Sequence, residues 1–454
     1  MKRIKTIMPA AVLLSIVLCL LANSGRVAAQ TKPWIDGYYT GYGTGTLPTN
    51  QVDYTAVTMV IDFALDVSSS GSVSGTGNGV NSIATSSVSA AHAAGVKVIV
   101  SVGGAGSGNA FNSAVTLNAA GLVLNIVNYV KEYGYDGVDI DWEQIGGSLT
   151  YVTLITALRV ALPPPYIITT TAVDGDQKTV ALVAPLLDQV NMMTYDVAGN
   201  WSGWVSWYNG SLYEYGKAAT NGSEASSCVD VWVNHFIQAG IPASKIGIGS
   251  EFGGAVWSGV TGPNQAPGGS VSYDVPYTTI KGYGGTYSWD TQAEASSMLS
   301  SRGWATYDDS ADVAAKMAYI KDKGLGGLII WSLDMDHEKG TVGRDPLLNA
   351  IKVNPAEVAR KSGQNLPASA ELSQNYPNPF NPSTVITFTT TNSGFVTLRV
   401  YNALGQEVAI LVHESLGAGK HIVVWNASSF PSGIYLYRLE SNTGQLSRKM
   451  LLLK

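Results

Sequence analysis

Eight short apolar runs, spread over residues 34–332 and separated mostly by helical patterns, limit what this 454-residue chain can fold into. They are WIDGYY (34–39), VTMVIDFAL (57–65), VKVIVSV (96–102), GVDIDWE (137–143), YIITTTA (166–172), QVNMMTY (189–195), KIGIGS (245–250) and GGLIIWS (326–332). Continuous apolar runs of this length, bounded by turn residues, read as strands buried on both faces. Helical patterns are expected over 110–133, 150–162, 229–239 and 311–323. Strands alternating with helices form parallel sheets, because a parallel crossover needs a connection long enough to hold a helix. Eight is the number that closes a (β/α)8 TIM barrel, so the expected class is α/β. A doubly wound open sheet competes, but no GxGxxG follows any run.

The fourth run carries the chemistry. Residues 138–143 alternate with the period of a strand, which puts Asp139, Asp141 and Glu143 on one face and Val138, Ile140 and Trp142 on the other. Three like charges on one face repel, and the residues between them are too apolar for a solvated edge, so the strand is expected to be catalytic. Catalytic groups of a barrel sit at the C-terminal ends of its strands, and Glu143 ends this run. Asp136 falls off the acidic parity and reads as structural. Glycosidic cleavage needs an acid to protonate the leaving oxygen and a negative group to stabilise the oxocarbenium-like transition state. Like-charged neighbours are expected to raise the pKa of Glu143 while the deeper aspartates stay ionised. On a sugar bearing a 2-acetamido group the substrate's own carbonyl oxygen can attack. Asp141, helped by a tyrosine hydroxyl, suits the task of orienting that amide.

Composition narrows the partner. A net charge of −6 with no basic cluster argues against nucleic acid. Only 13% of residues are charged, while 50 Gly, 23 Tyr and 11 Trp give a neutral, aromatic-rich surface suited to a carbohydrate. The five histidines lack ligand spacing, so neither a metal nor another cofactor is expected. At the N-terminus, Lys2, Arg3 and Lys5 precede an apolar stretch from Ile7 to Ala22, and Val27-Ala28-Ala29 precede a cut at Gln30, which reads as a signal peptide over 1–29. A membrane anchor competes, but the stretch is shorter than the roughly 20 residues that span a bilayer, so no stable span is expected in the mature chain. Loss of Cys19 leaves Cys228 alone, a buried structural thiol with no disulfide partner. A monomer is expected.

The acidic strand, DGVDIDWE at Asp136–Glu143, resembles the DxxDxDxE signature of glycoside hydrolase family 18, the chitinase family. Ser101-Val102-Gly103-Gly104 is similar to its SxGG motif, Met193-Thr194-Tyr195-Asp196 to its MxYD motif, and Trp331 to the tryptophan that floors its cleft. Gly37-Tyr38-Tyr39, Trp289-Asp290 and Tyr307-Asp308-Asp309 also match, over roughly 34–350. The resemblance implies a (β/α)8 barrel and a retaining, substrate-assisted mechanism, without a cofactor. It implies Glu143 as general acid and then base, and Asp141 as the residue that orients the acetamido group. Asp139 would tune Asp141, held by Tyr38 and Ser101, and Tyr195 would bond the acetamido oxygen. Substrate contacts are expected from Tyr38, Ser101, Gly103, Gly104, Trp142, Met193, Asp196, Trp201 and Trp331. Tyr195, Met193 and Trp331 could also be core, Gly103 and Gly104 could simply make a turn, and Trp204 and Trp207 stay open between stacking on sugar and packing their loop.

Some positions depart from the family: Gln144-Ile145 stands where many members have Tyr-Pro, Asp62 where Asn is usual, and Glu251–Ala255 (EFGGA) where PFYGR is common. Residues 251–290 read as a reduced insertion, whose shortness favours a shallow, endo-acting groove. The leading function is a secreted chitinase acting on β-1,4-linked N-acetylglucosamine polymers. An endo-β-N-acetylglucosaminidase of N-glycans and a non-catalytic sugar-binding relative compete, the latter disfavoured because Glu143 is intact.

After Ile351 the pattern changes. Residues 355–371 read as a linker, and 372–454 as a small β-sandwich of short alternating strands. LSQNYPNPFNPST (372–384), YNALGQEV (401–408), PSGIYLYRLE (431–440) and the terminal SRKMLLLK resemble the type A sorting domain of the type IX secretion system. That implies passage through the periplasm and across the outer membrane of a Gram-negative bacterium, with the secretion machinery as a partner. A carbohydrate-binding sandwich is the competing reading. The catalytic domain is expected over 30–354.

Overall fold

The computed structural model describes residues 32–143, 145, 149–215, 228–338, 345–352, 371–375, 377–390, 394–402, 405–416, 419–441 and 444–453. The signal-peptide reading of residues 1–29 and nearly all of the 355–371 linker lie outside the described residues. The chain divides into two units, Met1–Pro355 and Ala356–Lys454.

In the first unit the eight runs become eight parallel strands: β1 Trp34–Thr40, β2 Met59–Val67, β3 Lys97–Gly103, β4 Gly137–Asp141, β5 Ile167–Ala172, β6 Gln189–Met192, β7 Ile246–Glu251 and β8 Gly327–Trp331. Each pairs with the next in chain order, and β1 pairs with both β2 and β8, which closes a (β/α)8 barrel. Side-chain alternation then sorts residues into a lumen and an outer layer. Val138 and Ile140 of β4, with Val98 and Val100 of β3, face outward into the large core under the helices. Tyr38, Met59, Ile61, Ile99 and Ile329 fill the lumen.

The outer layer includes α1 Val80–Ala93, α2 Gly108–Tyr133, α3 Leu149–Ala161, α4 Gln177–Val183, α5 Val229–Gln238, α6 Ser310–Lys323 and α7 Pro346–Lys352. Helix α2 is long and apolar enough to cross a membrane by length and composition. Phe111, Ala114, Leu122, Ile126 and Val130 nevertheless bury one of its faces in the barrel core. Helix α6 opens on a capping box in which the Asp309 carboxylate accepts from Ala311 N and Asp312 N, and the Asp312 carboxylate accepts from Asp309 N. That arrangement satisfies N–H groups a helix start leaves without partners. Asp309, one of the motif matches, is thus an anchor for the last barrel helix.

Between β7 and β8 the expected short insertion is instead a built subdomain. Five antiparallel strands, Gly253–Trp257, Val271–Pro276, Thr286–Asp290, Ala295–Ser300 and Gly303–Tyr307, form one sheet with a short helix, Tyr277–Lys281. A shallow groove argued from shortness therefore loses its premise. Trp257, Trp304 and Trp207 share its buried cluster, so the subdomain has an aromatic core of its own.

The second unit is all-β. Among the described residues it holds a three-stranded and a four-stranded antiparallel sheet around Phe388, Leu398, Trp425, Tyr437 and Leu439.

Candidate active site

The acids stand where β4 meets the C-terminal rim of the barrel. Asp139 is fully buried and lies in one register layer with Ser101 of β3 and Thr169 of β5. That layer explains its bonds: Oδ2 accepts from Ser101 Oγ at 2.9 Å and from Tyr38 Oη at 3.0 Å, and Oδ1 from Thr169 Oγ1 at 2.5 Å. Burial raises its pKa, and the three hydroxyl donors oppose the rise. Three O–H donors on one carboxylate favour its charged form.

Two residues on, Asp141 is also buried and accepts from Thr171 Oγ1 at 2.5 Å. Burial pushes its pKa well up, the neighbouring Asp139 adds to this, and Glu143 adds further. Glu143 is half-buried at the rim, and burial raises its pKa. Two expectations change here. Burial acts against the charged form of both deeper aspartates, and most strongly at Asp141, where Asp139 adds to it. The rise at Glu143 comes chiefly from desolvation.

The strand-end glycines shape the wall beside the acids. Gly103 and Gly104 both have positive φ, 116° and 108°. A Cβ on Gly103 would stand 2.1 Å from the Asp141 carbonyl oxygen, and Gly104 N donates to that same oxygen at 2.9 Å. This turn can be made only by glycine, and it clamps the end of β4.

Tyr195 follows β6, and its ring lies over Gly249 of β7, where a Cβ would come within 2.8 Å of ring carbons. Burial drives its hydroxyl pKa up, and the next cause is the charge of Asp141, which places the hydroxyl in the field of the acidic strand. Met193, also expected here, is half-buried just past the end of β6. Trp331, ending β8, is half-buried and meets Tyr38 edge-on at 5.7 Å and Phe63 at 4.8 Å. Trp201 is 46% exposed in the loop after β6 and meets the half-buried Trp204 edge-on at 4.8 Å. Trp207 is fully buried, with its Nε1 donating to Ser211 Oγ, so it packs its loop.

Three expected contact residues are withdrawn from substrate: Tyr38 and Ser101 are 1% and 0% exposed with their hydroxyls spent on Asp139, and Trp142 is turned away from the lumen altogether. Trp142 points to the helix side of the barrel, 1% exposed, stacked on Phe111 at 4.7 Å and edge-on to Tyr151. Its parity with Val138 and Ile140 forces this: the acids take the lumen face, so the tryptophan takes the core. Asp136, off that parity, accepts from Lys97 Nζ at 2.6 Å, His92 at 2.9 Å and Val98 N at 2.9 Å, as a structural anchor. Gln144 lies outside the described residues.

Other groups were not singled out from sequence. Thr169 and Thr171 share the lumen parity of the acids, and three consecutive threonines in an apolar run were the available signal. Glu251 ends β7 as Glu143 ends the fourth run, and it is the register partner of Trp331 on the adjacent strand. Asn209 donates to Glu251 Oε2, and Trp331 Nε1 donates to Asp274 Oδ1 at 3.0 Å. Asp274 comes from the inserted sheet, which carries no local signal of its contact with β8.

A closed parallel barrel with carboxylates gathered at the C-terminal rim of one strand is the architecture of a barrel hydrolase. The model of the glycosyl hydrolases family 18 matches residues 35–336, and the chain belongs to that family. Residues 374–453 match the secretion system C-terminal sorting domain. The chain is 30% identical to chitinase A1 of Niallia circulans over 54% of this chain and 41% of that protein. It is 28% identical to a probable endochitinase of Caenorhabditis elegans over 53% and 44%. It thus spans about half the length of these curated relatives. A crystal structure of a chitinase from Rhizomucor miehei superposes with a TM-score of 0.60 at 25% identity, covering 70% of this chain and 99% of that one.

Proposed function

We propose that this protein is a chitinase that hydrolyses β-1,4 bonds between N-acetylglucosamine units by a retaining, substrate-assisted route. The observation that supports this most is the acidic ladder of β4, in which Asp139 is held by three hydroxyls, Asp141 is buried and accepts from Thr171, and Glu143 stands half-buried at the rim. In this reading Glu143 gives its proton to the glycosidic oxygen as the C1–O bond breaks and the electron pair leaves with that oxygen. The acetamido carbonyl oxygen of the same sugar attacks C1 from the other face and forms a cyclic oxazolinium. Glu143, now ionised, takes a proton from water as the water oxygen attacks C1, which restores the acetamido group with net retention. Asp139, whose charged form three hydroxyl donors favour, keeps negative charge beneath the developing cation, and Asp141 orients the acetamido group. Tyr195 bonds the acetamido oxygen, and Trp331 stacks beneath the sugar, with Tyr38 buttressing it.

Endo action is favoured, in line with the endochitinase names among the relatives. The sorting domain supports secretion to the cell surface or medium, with passage through the periplasm and across the outer membrane by the type IX machinery. The test is release of chitobiose from colloidal chitin by wild type and Glu143→Gln, beside deglycosylation of a high-mannose glycoprotein. Chitobiose from the wild type and a loss of about 10²–10⁴-fold in the variant are expected, the range a general acid contributes. Activity on the glycoprotein alone would move the substrate to N-glycans, and activity untouched by Glu143→Gln would sink the mechanism.

A further inference from the structure

A second group of carboxylates gathers around Tyr195 and Trp331, outside the acidic strand. Asp196 follows Tyr195, Glu251 ends β7 beside Trp331, and Asp274 receives the Trp331 indole N–H. Both Asp196 and Asp274 have positive φ, 52° and 53°, a backbone region that non-glycine residues seldom adopt and that is seen at binding sites. Glu251 is 1% exposed and Asn209 is 4% exposed, and the Asn209 amide donates to Glu251 Oε2.

Donors and acceptors do not balance here. Asn209 supplies the N–H groups, yet Glu251 Oε1, Asp196 Oδ1 and the amide oxygen of Asn209 are all buried with no protein partner. Among the described residues no ion pair reaches Asp196, Glu251 or Asp274. The nearby buried cation, Lys316, is held by Asp308 at 2.5 Å and by the Gly249 carbonyl. Burial and then Asp274 push Asp196 up to about 7, while burial, Asp196 and Asp274 push Glu251 well above the carboxylate range.

A ligand that fits such a site brings several N–H donors and a positive charge. An acetamido group brings one N–H, and its carbonyl oxygen would face further acceptors; a primary ammonium brings three donors, no acceptor and one charge. We propose that this cluster is a subsite for a glucosamine unit, so that the enzyme prefers partly deacetylated chitin with a free ammonium next to the sugar being cleaved. This rests on the chitinase reading above. The sugar whose C1 reacts must keep its acetamido group, because that group is the nucleophile, so the ammonium belongs to an adjoining unit. Asp274, exposed, and Asp196, half-buried with its Oδ1 unpartnered, meet it, and the buried Glu251 adds its charge to the same field.

The test is digestion of partly N-acetylated chitosan, with the sugars on either side of each cleaved bond identified by mass spectrometry, and fully N-acetylated chitooligosaccharides as the parallel substrate. Wild type is expected to show glucosamine beside the cleaved acetylated unit about tenfold over its share in the polymer, the size one charge-assisted hydrogen bond supplies. Asp274→Asn and Glu251→Gln should bring that ratio close to the polymer's own composition. A reading that does not depend on the variants folding is inhibition of the wild type: fully deacetylated glucosamine oligomers should compete, and less well as salt rises, and no competition overturns the subsite. Cleavage of the acetylated substrate without glucosamine enrichment, or enrichment unchanged in both variants, overturns the subsite. Failure to cleave the acetylated substrate at all overturns the chitinase reading beneath it.

Discussion

At the scale of single residues, the acids of β4 differ through what surrounds them. Thr169 is the clearest case, since its hydroxyl bonds Asp139 at 2.5 Å from the neighbouring strand. Thr169→Val keeps shape and removes that donor, leaving Asp139 with Ser101 and Tyr38. The charged form of Asp139 then loses one bond worth about 1.5–3 kcal/mol, and the aspartate pair carries its negative charge less readily. The expected outcome is a fall in kcat of roughly tenfold or more with KM little changed, measured on a chitobiose-releasing substrate. An unchanged kcat would remove Thr169 from the charge-holding layer. Glu143 gives a prediction in pH. As the general acid it works protonated, and burial raises its pKa, so activity should persist above the ordinary carboxylate range and fall as pH rises through the raised value. A kcat/KM profile whose alkaline limb lies at an ordinary glutamate pKa would contradict this.

Elements show which parts of the fold were readable in the sequence. The eight barrel strands were legible because each is buried on both faces and therefore largely apolar, although their ends were not, the sixth run reaching 195 where its strand ends at Met192. Helix α1 was not read, because the face it buries at helical spacing (Val80, Ile83, Ala84, Ser87, Val88 and Ala91) is half Ala and Ser and stands out little from the Ser- and Ala-rich run around it. The inserted sheet escaped notice because strands such as Val271–Pro276 and Thr286–Asp290 are short, half-exposed and rich in Ser, Thr and Tyr. The site divides the same way: acids fixed by strand parity were legible, whereas Asp274 reaches Trp331 only through that sheet. Parity also settles Trp142. Trp142→Ala would empty a stacked core position and should cost about 3–5 kcal/mol in stability, read by denaturant melts, with KM for chitooligosaccharides unchanged. A rise in KM without loss of stability would return Trp142 to the cleft.

The contact of β2 with α1 holds a further buried acid. Asp62 accepts from Ser87 Oγ at 2.7 Å and Tyr135 Oη at 2.7 Å, and burial raises its pKa to about 7. A carboxyl whose folded pKa exceeds its unfolded one binds more protons when folded, so stability falls as pH rises, here between about 4 and 7. The conversion of about 1.36 kcal/mol per pKa unit puts an upper bound near 4 kcal/mol on this loss. Asp62→Asn carries no charge to bury, so its melting temperature should fall less than that of wild type between pH 5 and pH 8. Parallel pH dependence in the two proteins would show that Asp62 stays ionised.

On the scale of the whole molecule, the two units have separate cores. The barrel core runs from Ile35 to Leu348 and that of the second unit from Leu372 to Leu452, and they share no residue. A unit with its own buried apolar core folds on its own account, and the polar stretch between such cores is where a chain tolerates being cut. The chemistry proposed above lies wholly in the first unit, on residues 38–331, and the second matches a sorting domain. Removal of residues 356–454 should therefore leave chitinase activity within about twofold of the full chain and keep the barrel's melting transition, while the transition of the second unit disappears from calorimetry. In a secreting host the shortened protein should be retained in the cell, whereas the full chain reaches the surface or the medium. A truncated barrel that unfolds or loses hydrolysis would show that the sorting unit also supports the enzyme, and export of the truncated chain would show that the signal lies elsewhere.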